Sequence, residues 1–141
     1  MRSNWKTETH IVLDACALIA FLNDEPGSEV VAAVLQEAPS VEISVVNLLE
    51  IAYDAVRRSG DPQSAREILD TVQQLPINIH WNISDSVFHH AAHFKARFRI
   101  SLADAFALAL AKTLDAPVAT SDHHEFDHLE TEEVARFIWI R

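Results

Sequence analysis

The chain has 141 residues, 49% of them hydrophobic and 23% charged, with a formal net charge of −10. That size suits one domain with a real core, and that composition excludes an intrinsically disordered chain. A surface this acidic repels nucleic acid non-specifically, so it points instead to a cation, a basic partner, or a site where metal ions shield carboxylates.

The first nine residues read as a polar N-terminal extension, and the start MRSNWKTETH is too polar for a signal peptide. Cys16 is the single cysteine, which excludes an internal disulfide and fits a reducing compartment. The expected location is cytoplasmic. HIVLD (10–14) is short, apolar and β-branched, the pattern of a buried strand. ACALIAF follows as a helix. After a Pro26-Gly27 turn, SEVVAAVLQEA has helical periodicity, and VEIS (41–44) is the second strand. VVNLLEIAYDAVRRSG is a helix that ends on Gly60 with Arg57 and Arg58 in its last turn, where the helix dipole favours cations. DPQSAREILDTVQQL starts with Asp61 as cap and Pro62 at the first helical position. INIHW (77–81) is the third strand. SDSVFHHAAHFKARF and SLADAFALALAKTLD each open on a capping serine. The second carries the longest apolar run, LADAFALALA, which is short and contains Asp104, so a core helix is expected and no membrane span. PVAT (117–120) and ARFIWI (135–140) complete the strands. Strands alternating with helices give an α/β class: one three-layer α/β/α domain over 1–141, with a central parallel sheet of about five strands.

In open sheets of this kind, ligands bind outside the carboxyl ends of the strands. Asp14 ends the first strand and Asp122 follows the fourth, so both belong to that edge. Each acid also has a purely structural reading. Asp14 can cap the following helix, and Glu50 can lie on a solvent-facing polar stripe with Asn47 and Asp54. Asp104 stands three residues after Ser101, as in a capping box, and Asp122 can end a strand in a turn. Together they matter more. Two unit charges about 5 Å apart cost roughly 3 kcal/mol at an effective dielectric near 20, so a converging set takes up protons or binds a cation. Oxygen-only ligation suits Mg2+ or Mn2+.

Other signals compete. His89 and His93 have an i,i+4 spacing that can chelate zinc, and with His90 they also suit a solvated helix face. His123 and His124 directly follow Asp122. Lys95, Arg97 and Arg99, like Arg57 and Arg58, suit phosphate contacts or dipole-matched helix ends.

The stretches IVLDACALIAFL, NLLEIAYDAVRR with its mid-helix Glu50, RISLADAFALALAKTLDAPVATSDHHEF and FIWI resemble a PIN domain. In particular, the chain resembles the small ribonuclease toxins of VapBC-type toxin–antitoxin pairs over nearly its full length. The order Asp–Glu–Asp–Asp recurs here at intervals of 36, 54 and 18 residues. The resemblance implies a PIN-like fold and a metal-dependent endoribonuclease in which Asp14, Glu50, Asp104 and Asp122 hold one or two Mg2+ or Mn2+ ions. It also implies an RNA substrate, a small antitoxin that occludes the site, and a homodimer. Two features depart from the family pattern. Cys16 stands where a serine or threonine is usual, and Glu125 and Asp127 fall outside the core set. The alternative is a catalytically weak or inactive PIN-like module that binds RNA or a protein partner. A phosphotransfer enzyme ranks last: a haloacid-dehalogenase-type site needs a second aspartate two residues after Asp14, where Cys16 stands.

Overall fold

A computed structural model describes residues 5–141. Of the polar extension expected over 1–9, residues 1–4 therefore lie outside the described residues. The remainder is tied to the domain: Trp5, in a single 3-10 turn, packs against the core, and Glu8 pairs with Arg136.

The strands are β1 (His10–Leu13), β2 (Ser40–Ser44), β3 (Asn78–His80), β4 (Val118–Thr120) and β5 (Phe137–Trp139). They form one sheet in the order β3-β2-β1-β4-β5, parallel throughout. The helices are α1 (Ala15–Leu22), α2 (Ser28–Glu37), α3 (Val45–Ser59), α4 (Gln63–Gln73), α5 (Asp85–Arg97), α6 (Leu102–Leu114) and α7 (His123–Thr131). Period-two alternation splits β1, β4 and β5 between two cores, while β2 and β3 contribute to the first alone. Ile11, Leu13, Val41, Ile43, Ala119 and Ile138 pack under α1 to α4. Val12, Val118 and Phe137 pack under α5 to α7. The three-layer α/β/α arrangement expected from the sequence is the one observed, with five strands. No helix among the described residues is long and apolar enough to cross a membrane.

Local chemistry sets the boundaries. Gly27 caps α2 at φ +97, and a Cβ there would meet Ile140 at 2.8 Å, so only glycine fits without strain. Gly60 ends α3 in the left-handed region, as a C-terminal glycine should. Asp61 does accept from the Gln63 N–H at 3.0 Å, but Pro62 takes the cap position and the helix proper begins one residue later than expected. The sequence offers no helix after Asp122, where a turn is one reading, and the structure starts α7 there. Its buried residues are Phe126 and Leu129, too few to give a clear helical period in a sequence rich in His, Asp and Glu.

Topology locates a crevice. The chain winds outward from β1 through β2 to β3, then returns to place β4 on the other side of β1. The helix after β1 lies on one face and the helix after β4 on the other. The carboxyl ends of β1 and β4 therefore flank the topological switch point, where α/β folds bind ligands.

Candidate active site

Four acids reach this edge from four different elements. Asp14 follows β1 directly and caps α1, with its Oδ1 accepting from the Ala17 N–H at 2.9 Å. Its other oxygen accepts from the Thr120 hydroxyl at the end of β4. The same hydroxyl oxygen accepts from the Asp122 N–H at 3.0 Å, so one threonine ties both strand ends together. Asp122 caps α7, and its Oδ1 accepts from the Glu125 N–H at 3.1 Å. Ser44 both ends β2 and caps α3, which keeps the first turns of that helix, with Asn47 and Glu50, at the carboxyl edge. Only residues 115–117 join α6 to β4, so the C-terminus of α6 lies at the amino edge and its first turn, with Asp104, at the carboxyl edge. Ser101 caps that turn by accepting from the Asp104 N–H at 3.0 Å.

Burial and mutual repulsion show in the proton affinities. Asp14 is 2% exposed, and burial is the main cause that lifts its pKa from 3.8 to about 7. The Thr120 and Ala17 hydrogen bonds oppose that rise, while the charges of Asp104 and Asp122 add to it. Asp104 is pushed up to about 6, by burial first; Ser101 opposes, and Asp122, Glu125 and Glu50 add. Glu50, though exposed as a residue, is also raised, by partial desolvation of its carboxyl first and then by Asp122 and Asp54. The Cys16 thiol goes up to about 12 through burial and then the charges of Asp14, Asp122, Asp104 and Glu50. All four acids thus act on Cys16, and Asp122 acts on each of the other three, which places them around one crevice. No basic side chain among the described residues forms an ion pair with any of them.

The structural readings of the acids hold in part beside this convergence: Asp14 and Asp122 do cap helices, and Glu50 is exposed. The polar stripe on α3 divides three ways. Asn47 is buried, Glu50 faces the crevice acids electrostatically, and Asp54 binds Arg57 at 2.7 Å and Arg58 at 2.9 Å. Glu125 acts on Asp104, whereas Asp127 pairs with His123 at 2.8 Å. His123 stacks on Trp139 with ring centroids 4.0 Å apart. Among the described residues no three or more His, Cys, Asp or Glu side chains are drawn into a ready-made metal cage, either here or around His89 and His93. Those histidines instead pack on the Phe88 and Phe94 rings. A cleft of about 770 Å3 near Lys112, Asp115, Glu130 and Arg136 lies at the amino edge, away from the acids.

Thr120 is a site residue that sequence reasoning missed. Its signal was a hydroxyl at a fully buried strand end, two residues before Asp122.

The PIN domain family profile matches residues 11–132. The chain belongs to the PIN domain family. Among solved structures, this PIN domain is similar to a toxin–antitoxin complex from Klebsiella pneumoniae, with 19% identity, a TM-score of 0.66, and 93% of this chain and 98% of that one covered. It is also similar to a DNA-bound VapBC from Salmonella typhimurium, with 16% identity, a TM-score of 0.69, and 94% and 98% covered. A third is a sarcin–ricin loop cleaving VapC toxin of Mycobacterium tuberculosis, with 16% identity, a TM-score of 0.61, and 78% and 86% covered. A search of curated proteins finds no match.

Proposed function

We propose that this PIN domain is a divalent-metal-dependent endoribonuclease that cuts RNA phosphodiester bonds and acts as the toxin of a toxin–antitoxin pair. The observation that carries the reading is the crowd of carboxylates at the switch point, in which Asp14, Glu50 and Asp104 are raised in pKa and no cation among the described residues forms an ion pair with any of the four acids. Asp14, Glu50, Asp104 and Asp122 would hold Mg2+ or Mn2+. The donor set fits such an ion: it is all oxygen, and an ion that keeps most of its waters needs only one or two carboxylates directly, so no closed cage is required. When bound, the ion supplies Lewis acidity toward the phosphate and lowers the pKa of the attacking water.

The chain's own residues orient and hold. Thr120 and the Ala17 N–H fix both oxygens of Asp14, and Thr120 also sets the start of α7, which carries Asp122. Ser101 fixes the first turn of α6 for Asp104. Apolar packing beneath Asp14 keeps bulk water from screening the charges, which strengthens their hold on a cation. The toxin assignment is supported by likeness to toxin–antitoxin complexes and to a toxin that cleaves the sarcin–ricin loop. In this reading a small antitoxin covers the crevice and presents a basic side chain to the carboxylates, the chain works in the cytoplasm, and it forms a homodimer.

Incubation of the purified chain with RNA and Mg2+ or Mn2+ should give cuts that a chelator abolishes. Those cuts should vanish in Asp14→Asn and Asp104→Asn, and cuts that persist in both variants refute the assignment. RNA binding with no turnover in any divalent metal would make the chain a binding module instead.

A further inference from the structure

Asn47 stands where the helix of Glu50 meets the helix of Asp104. It lies in the first turn of α3, three residues before Glu50, and is 1% exposed. Its Nδ2 donates to the carbonyl of Ala103, the residue before Asp104, at 3.2 Å. That bond decides which end of the amide is oxygen, because a carbonyl accepts only from the NH2 end. The Oδ1 atom is buried, and no donor among the described residues reaches it. Buried acceptors are nearly always satisfied, so an orphan needs an explanation. Packing does not provide one, since a leucine of similar volume fills the space without burying an unpaired oxygen.

We infer that Asn47 is a positioning residue for the divalent cation, with its Oδ1 accepting a hydrogen bond from a water of the ion's hydration shell. The inference rests on the nuclease reading of the crevice. A hydrated divalent ion turns O–H donors outward, and the carboxylates satisfy only those that face them. A neutral amide oxygen takes one more without adding a further negative charge to acids that already repel one another. Meanwhile Nδ2 locks α3 to the start of α6, so that Glu50 and Asp104 keep a fixed spacing. One side chain thereby serves both the frame of the site and the shell of the ion.

The test is a Mn2+ titration, read by the EPR signal of free ion, with thermal melts in EDTA, for the full chain and its variants. Asn47→Leu should bind Mn2+ about 10-fold or more weakly, the usual cost of losing an outer-shell partner. Its melting temperature in EDTA should be unchanged or higher, because the orphan has gone. Asn47→Asp keeps an oxygen acceptor and should bind as well as the parent or better. Parent-like Mn2+ affinity in Asn47→Leu, or a loss in Asn47→Asp equal to that in Asn47→Leu, overturns the inference and leaves the nuclease reading standing. Should Asn47→Leu fail to fold, Asn47→Ala takes its place under the same criterion, and a collapse of both shows a packing role and overturns it too. Failure of the parent chain to bind Mn2+ overturns both readings.

Discussion

Asp14 is a buried charge that the metal-free protein carries at a cost, and Asp14→Asn measures that cost. The substitution keeps the shape and the Oδ1 that caps α1, and removes the ionisation. The folded pKa of about 7 lies above the unfolded value of 3.8, so the folded state holds its proton more tightly than the unfolded state. The contribution of this group to stability is therefore most favourable below pH 3.8 and falls as pH rises, with the full loss reached above about 7. The gap is about 3 pH units, which at 1.36 kcal/mol each amounts to about 4 kcal/mol at the alkaline end. Urea denaturation in EDTA should find the Asp14→Asn variant more stable than the parent by up to that amount at pH ~8 and by about 1–2 kcal/mol at pH ~5, with no difference at pH ~3. Added Mn2+ should reverse the order. At 100 times its dissociation constant a ligand adds about 2.7 kcal/mol to a protein that binds it, and the variant should gain nothing. Equal stability of the two proteins in EDTA at pH ~8, or a difference that ignores pH, would refute the electrostatic account of the crevice.

Thr120→Val removes the hydroxyl that lowers the Asp14 pKa and leaves the Asp122 N–H without its acceptor. Mn2+ affinity should fall about 10- to 100-fold, and the pH at which binding sets in should move upward. Glu42, buried on β2, is lifted by burial and lowered more by hydrogen bonds with Ser40, His80, His10 and Asn78, so its pKa lies below the ordinary 4.5. Its stabilising effect is present above that value and lost as pH falls below it; Glu42→Gln should cost about 1–3 kcal/mol in urea melts at neutral pH, with the difference shrinking in acid. Cys16, pushed up to about 12, is thiolate in only about one molecule in ten thousand at pH ~8. Iodoacetamide labelling of the native chain should run far slower than of the chain in denaturant, and comparable rates would show the thiol to be free of the carboxylate field.

Much of this could be read from the chain because it depends on local pattern. Short β-branched runs named the strands, and Ser84, Ser101 and Gly60 marked helix ends that the structure keeps. Asp14 was legible as a carboxylate at the end of an apolar run, and its double role as cap and site residue follows from that one position. Glu50 was harder. A helix with Asn47, Glu50 and Asp54 along one stripe does not say which of them faces water, and the answer depends on where the first turn of α6 comes to rest. Thr120 was illegible for a related reason. Threonine is ordinary in a strand, and it becomes a site residue only because β4 lies beside β1, opposite in sequence order to what β1 and β2 would suggest. The helix α7 was hidden because two buried side chains anchor it and charged ones fill the rest.

The net charge of −10 is at first sight at odds with a nucleic-acid enzyme, and the distribution of partners resolves the conflict. The cations nearest to Glu50 in sequence, Arg57 and Arg58, are both held by Asp54 on the same helix. Lys95 donates to the Ile100 carbonyl, and Arg97 lies over the Phe98 ring. None of these groups offsets the crevice acids, which repel one another, and Asp14 and Asp104 stay partly protonated near neutral pH. A phosphate approaching that edge meets like charge until something positive arrives first. In the proposed scheme a divalent ion and a basic side chain of an antitoxin are two answers to the same deficit. They compete for the same carboxylates, which makes loading of the metal and capture by the partner mutually exclusive, and an acidic domain can in this way be both a nuclease and a target for basic inhibition.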